Sequence, residues 1–239
     1  MLITKIRKNI AKLIYHEKSY EYYFNVPIKY QYNQLKAVNE RIVEYPFLFN
    51  QILKDKPPKK ILDFGCTRSW LSIALSSMGY DVTGIDLREF DYEHKNFTFS
   101  KTNILDLDEK NFDFVVSLST IEHVGLGAYD KEVINDDLAK VLKKIEHLLK
   151  PQGKLILTLP VGKPSIDEFT RSFAPEELKD ILKSHRFSLQ TEEYYHKDDR
   201  FFWKPSSIID IANISNDTSA RKSAGSGVNG VGFFVFQKP

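Results

Sequence analysis

A chain of 239 residues, 42% hydrophobic and 28% charged, can bury one sizeable core. A formal net charge of +2 leaves no broad basic field of the kind a nucleic-acid or acidic-membrane binder carries. Its single cysteine, Cys66, cannot form an internal disulfide, and no Cys or His spacing is of the structural-zinc type, so a cytoplasmic protein without a metal is expected.

At the N-terminus, Ile3, Ile6, Ile10 and Leu13 share one helical face, with basic residues elsewhere. Charges interrupt every apolar run, which argues against a signal peptide or a membrane span, and no stable membrane insertion is expected. Such a helix rests on a membrane surface or packs on the domain or on a partner subunit, a homodimer included; packing is favoured. Residues 15–56 are tyrosine-rich and predict two or three helices. Asp55-Lys56-Pro57-Pro58 is a rigid linker that separates an extension, 1–56, from an α/β domain, 57–239.

Strands are predicted near 60–65, 81–86, 97–103, 113–119 and 154–160, alternating with helices or loops, the pattern of a parallel sheet with covered faces. A helix is expected over 131–150, stopped by Pro151-Gln152-Gly153. Leu87 to Asn96 lacks helical periodicity and reads as a loop. Proline and acids in the first turn mark a helix over 174–182. A strand over 187–195 would pair antiparallel with a last strand over 232–236. Between them, 213–230 is rich in Ser, Asn, Gly and Ala and reads as a surface loop or a substrate flap.

Two strand ends carry the chemistry. The first strand runs through Asp63 into Gly65 and a helix; about twenty residues on, the second ends in Asp86, where a carboxylate can hold both hydroxyls of a ribose. A dinucleotide fingerprint needs two further glycines for close approach to pyrophosphate, but Thr67, Ser69 and Trp70 crowd this turn. A phosphate-free adenosyl ligand such as S-adenosylmethionine suits it better, with Asp63 supplying charge for the ammonium.

Four motifs in order, Leu62-Asp63-Phe64-Gly65-Cys66, Gly84-Ile85-Asp86-Leu87-Arg88, Lys101-Thr102-Asn103-Ile104-Leu105-Asp106 and Ser119-Thr120-Ile121-Glu122-His123-Val124-Gly125, resemble the class I S-adenosylmethionine-dependent methyltransferases. Bacterial members acting on sugars and other small molecules are the nearest in pattern. The resemblance implies a Rossmann-like α/β fold: a seven-stranded, mostly parallel sheet with an antiparallel last strand, helices on both faces, and the N-terminal extension as a lid. It implies Asp63, Gly65 and Cys66 at the methionine, Asp86 and Leu87 at the ribose, Asn103 with the Ile104 amide at the adenine, and the Ser119 backbone closing the site. Many relatives have aspartate where Asn103 stands; an amide oxygen accepts the same hydrogen bond. Tyr45 in the lid is a candidate substrate contact, set against an ordinary core role.

Methyl transfer to a neutral hydroxyl also needs a base, and His123, just past the fourth strand, is the candidate. Glu122 orients it, binds the ammonium or anchors the loop. Arg171 could meet a phosphate or carboxylate of the substrate, or be a plain surface arginine. The expected function is O-methylation of a sugar or sugar-linked small molecule in a surface-polysaccharide or natural-product pathway. Two alternatives are weighed: a catalytically silent S-adenosylmethionine-binding subunit, and a nucleic-acid base methyltransferase. The second is disfavoured because the Asp/Asn-Pro-Pro-aromatic pattern is absent after the fourth strand, and no nucleic-acid partner is expected.

Overall fold

The structure is a computed structural model that describes residues 40–67, 69–126, 138–198, 202–216 and 227–239. The N-terminal amphipathic segment, the tyrosine-rich residues up to 39, the first turns of the 131–150 helix and the centre of the 213–230 loop lie outside the described residues.

Among the described residues ten strands alternate with helices: β1 Lys60–Phe64, β2 Asp81–Asp86, β3 Phe97–Lys101, β4 Phe112–Leu118, β5 Leu149–Pro160, β6 Ser165–Ile166, β7 Arg171–Ser172, β8 Ser188–Lys197, β9 Trp203–Pro205 and β10 Gly230–Gln237. The helices among the described residues are α1 Arg41–Ile52, α2 Leu71–Ser77, α3 Leu138–Leu148, α4 Pro175–Ser184 and α5 Ile208–Ile211. Eight strands form one sheet in the order β3-β2-β1-β4-β5-β10-β8-β9, and β6 and β7 form a separate hairpin. β1 to β5 are parallel; β10 is antiparallel to both β5 and β8.

Period-two alternation explains the two covered faces. Ile61, Phe114, Val116, Ile156, Phe233 and Val235 point to the face covered by α1 and α2, where they meet Leu48, Ile52, Leu71 and Leu75. Leu62, Val115, Leu155, Leu157, Phe234 and Phe236 point to the other face, under Val141, Leu142 and Ile145 of α3 and Leu178 and Leu182 of α4. Each such side chain contributes on the order of 1.5–3 kcal/mol through burial. α1 runs through Pro46, which removes one helical hydrogen bond. Tyr45, Phe47, Leu48 and Ile52 are all buried, and Phe47 lies 5.1 Å from Phe233, so tertiary packing holds the helix across the proline.

The covered, mostly parallel sheet is as predicted, with three differences. Among the described residues the sheet has eight strands, not seven, because β9 adds an edge beyond β8. Pro151-Gln152-Gly153 does not precede the fifth strand but bulges within it: Phe112 pairs Leu149 and Phe114 pairs Lys154, with Gln152 at φ 63°. Residues 161–173 carry the β6–β7 hairpin, too short to show a periodicity.

Candidate active site

The sheet grows outward from β1 through β2 to β3, then returns to β1's other side with β4. Ligands of open α/β sheets bind at such a reversal, at the C-terminal strand ends. Asp63, Asp86, Asn103 and Ser119 are brought together there by β1, β2, β3 and β4.

The turn after β1 is tied to β2. Gly65 N–H and Cys66 N–H both donate to the Ile85 carbonyl, at 2.8 and 3.2 Å, so the turn offers a ligand carbonyls rather than these amides. Gly65 has φ +81°, and a Cβ on it would stand 2.2 Å from Thr120 Oγ1. Both the conformation and the space demand glycine. Gly65→Ala should therefore cost about 1–3 kcal/mol, read as a lowered urea midpoint; an unchanged midpoint would contradict this packing. Cys66 is buried, and burial pushes its thiol far up, so it is no nucleophile.

Asp63 is fully buried. Its Oδ2 accepts from Ser72 Oγ at 2.7 Å, while Oδ1 is buried with no hydrogen-bond partner. Burial pushes this carboxyl up to about 6, opposed by the Ser72 hydroxyl, reinforced by Asp86 and opposed again by Arg41. Asp86 differs. Burial works to raise it, but hydrogen bonds from Arg88 and Thr67 hold it below the ordinary carboxylate range. Leu87 beside it is half-buried. Asn103 caps a single 3₁₀ turn, Ile104–Asp106, its Oδ1 accepting from Leu105 N–H at 3.0 Å, with the buried Ile104 behind it.

Ser119 stands at φ +45°, its N–H donating to the Thr158 carbonyl at 2.9 Å and its Oγ to Glu44 Oε1 at 2.7 Å. Its amide therefore bonds to β5. Tyr45, the candidate substrate contact, is buried against Trp70 at 4.4 Å between ring centres, with its hydroxyl 3.4 Å from Ser69 Oγ and 3.3 Å from Trp70 N. It braces the turn after β1.

His123 lies in a second 3₁₀ turn, Ile121–His123. Its Nδ1 is 2.6 Å from the Phe169 carbonyl, an acceptor only, so Nδ1 carries the proton and Nε2 the lone pair of the neutral ring. Glu122 is buried, with Oε1 3.8 Å from Nε2. Phe169 is itself held by the β6–β7 hairpin, where Asp167 Oδ1 accepts from Phe169 N–H and Thr170 N–H, each at 2.7 Å. Arg171 lies on the same hairpin, stacked 5.6 Å over Phe173.

Sequence reasoning missed the charges that α1 brings to this rim. Glu44 is fully buried and pairs with Arg41 and Ser119. An acid in register with Leu48 and Gln51 on a buried helical face was the available signal. Lys197, at the end of β8, lies 5.0 Å over Trp203, and burial lowers its ammonium while Glu40 acts the other way. Among the described residues no cluster of three or more His, Cys, Asp or Glu could hold a metal, and no helix is long and apolar enough to cross a membrane.

Such a sheet, with acids at the C-terminal ends of β1 and β2 beside its reversal, defines an open α/β protein with a ligand crevice at its switch point. The methyltransferase domain family matches residues 39–193, so the chain belongs to the S-adenosylmethionine-dependent methyltransferases, whose cofactor is S-adenosylmethionine. A ubiquinone biosynthesis O-methyltransferase of Coxiella burnetii is 29% identical over 111 residues, 42% of this chain and 43% of that protein. A probable S-adenosyl-L-methionine-dependent methyltransferase, TehB, of Haemophilus influenzae is 27% identical over 143 residues, 54% of this chain and 47% of its own. The chain thus spans less than half the length of these curated relatives. Phosphoethanolamine N-methyltransferase 2 of Haemonchus contortus, solved with S-adenosyl-L-methionine, is similar in fold at TM-score 0.56 and 18% identity, over 98% of this chain and 60% of that one.

The residues present fit the cofactor. Asp63 Oδ1 is a buried acceptor without a hydrogen-bond partner, a place that a donor such as an ammonium would satisfy.

Proposed function

We propose that this protein transfers the methyl group of S-adenosylmethionine to a hydroxyl oxygen of a small molecule, with His123 as the base. The observation that carries the reading is the Nδ1–H bond of His123 to the Phe169 carbonyl, which leaves the ring's lone pair on Nε2, 3.8 Å from Glu122 Oε1. A sulfonium supplies an already activated methyl group. The chain's own residues then align the partners, exclude water and take the hydroxyl proton at Nε2. Asp63 would hold the donor's ammonium and Asp86 its ribose, with Gly65, Cys66 and Leu87 lining the turn and Asn103, Ile104 and Ser119 lining the opposite side. The O-methyltransferase relative supports oxygen as the acceptor. A sugar-linked acceptor is the narrower proposal and rests on the motif resemblance; Arg171 is then the candidate for a phosphate or carboxylate on it.

The test is S-adenosylhomocysteine release across phosphorylated and nucleotide-linked sugars and simple phenols, alongside calorimetry with S-adenosylmethionine. Turnover on a hydroxyl acceptor is expected; donor binding with no turnover on any acceptor would instead indicate a silent binding subunit.

Asp63 adds a pH dependence. Its ionised form is the one that binds an ammonium, so donor affinity is full above pH about 6 and falls as protonation sets in below it. The limit is about tenfold per pH unit, set by one proton. Calorimetry across that window should show the fall in the wild type and a flat, weaker profile in Asp63→Asn.

A further inference from the structure

Asp86 already accepts more hydrogen bonds than it has places for. Its Oδ2 takes Thr67 N–H at 3.1 Å, the Thr67 hydroxyl and Arg88 Nη2 at 3.0 Å, and its Oδ1 takes Arg88 N–H at 3.0 Å and Arg88 Nε at 2.9 Å, five bonds in all. A carboxylate has about four lone-pair positions. A ribose bound to Asp86 brings two more hydroxyls to the same oxygens, so some present donor must yield. The Thr67 and Arg88 amides are fixed by the backbone. The Thr67 hydroxyl sits on a short stem within a buried residue. The Arg88 guanidinium is on a long, flexible stem, its side chain 30% exposed. It is the one group able to move without unfolding the turn.

We propose that Arg88 competes with the ribose hydroxyls for Asp86 and thereby sets the affinity of the adenosyl site, leaving the carboxylate when a ribose arrives. The inference rests on reading Asp86 as the ribose acid. Arg88 is then an affinity-determining residue that opposes binding, the reverse of an arginine that recruits a ligand. Because the contest is at the ribose, any adenosine-bearing ligand meets it, whether or not it carries the amino-acid part.

Calorimetry with S-adenosylhomocysteine and with adenosine tests this on wild type, Arg88→Ala and Arg88→Gln. Removing a part-exposed, two-pronged charge pair should tighten both ligands by about three- to tenfold, and equally. Raising ionic strength should narrow the gap, since salt screens the Arg88–Asp86 pair only in the wild type. In an Asp86→Ala background the gain from Arg88→Ala should vanish. Equal or weaker binding by both Arg88 variants overturns the proposal while leaving Asp86 as the ribose acid. A folded wild type that binds neither ligand, or an Asp86→Ala variant that binds as well as wild type, overturns the Asp86 reading and this inference with it.

Discussion

Replacing His123 with alanine is expected to lower methyl transfer by about 10²-fold or more, while the affinity for S-adenosylhomocysteine changes little. Alanine alone cannot separate chemistry from scaffolding, because the ring also anchors the β6–β7 hairpin through Phe169. His123→Asn does separate them: its side-chain amide can donate to the Phe169 carbonyl from nearly the position of Nδ1, yet nothing stands where Nε2 did. Both variants should be equally slow. If the asparagine form keeps more than about a tenth of the wild-type rate, the expected acid–base factor is missing, and His123 serves only to fasten the hairpin.

The largest stability effect is expected at a residue with no assigned part in the chemistry. Glu44 and Arg41 are three apart on α1, a spacing that on an exposed helix contributes only ~0.2–0.5 kcal/mol. Here the Glu44 side chain is fully buried and that of Arg41 is 15% exposed, with Ser119 Oγ as a further donor to the carboxylate. Removing one partner of a buried pair leaves the other charged and desolvated, at a cost of about 3–5 kcal/mol. Glu44→Ala should lower the unfolding free energy by that order in urea titrations, and Glu44→Gln by less, since the amide still accepts from Ser119. A loss below about 1 kcal/mol would place the pair among ordinary surface contacts.

Much of the fold was legible because its signals are local. The runs through Val115-Val116 and Leu155-Ile156-Leu157 mark central strands, and Pro175 with Glu176 and Glu177 marks the start of α4. Asp63 and Asp86 could be placed for the same reason: each lies at or one residue from the end of a strand recognisable by itself. What stayed hidden depends on contacts distant in sequence. β9 has three residues, one of them Pro205, and forms only because β8 is there to receive it. Glu44 reaches Ser119 across 75 positions, and His123 reaches Phe169 across 46. No spacing rule joins such residues. Tyr45 carried two readings, core and substrate contact, because an aromatic in a covering helix could face either way; its burial against Trp70 depends on a residue 25 positions on.

The sheet's outermost strands bear on how copies of this protein behave together. An open sheet invites foreign strands along its unpaired margins, and short, charged, proline-bearing or covered margins deter them. On one side β9 is brief and ends Lys204-Pro205; on the other, Phe90 and Tyr92 fold back over Phe97, at 5.6 and 5.2 Å between ring centres. Among the described residues both margins are thus blunted against strand-by-strand polymerisation.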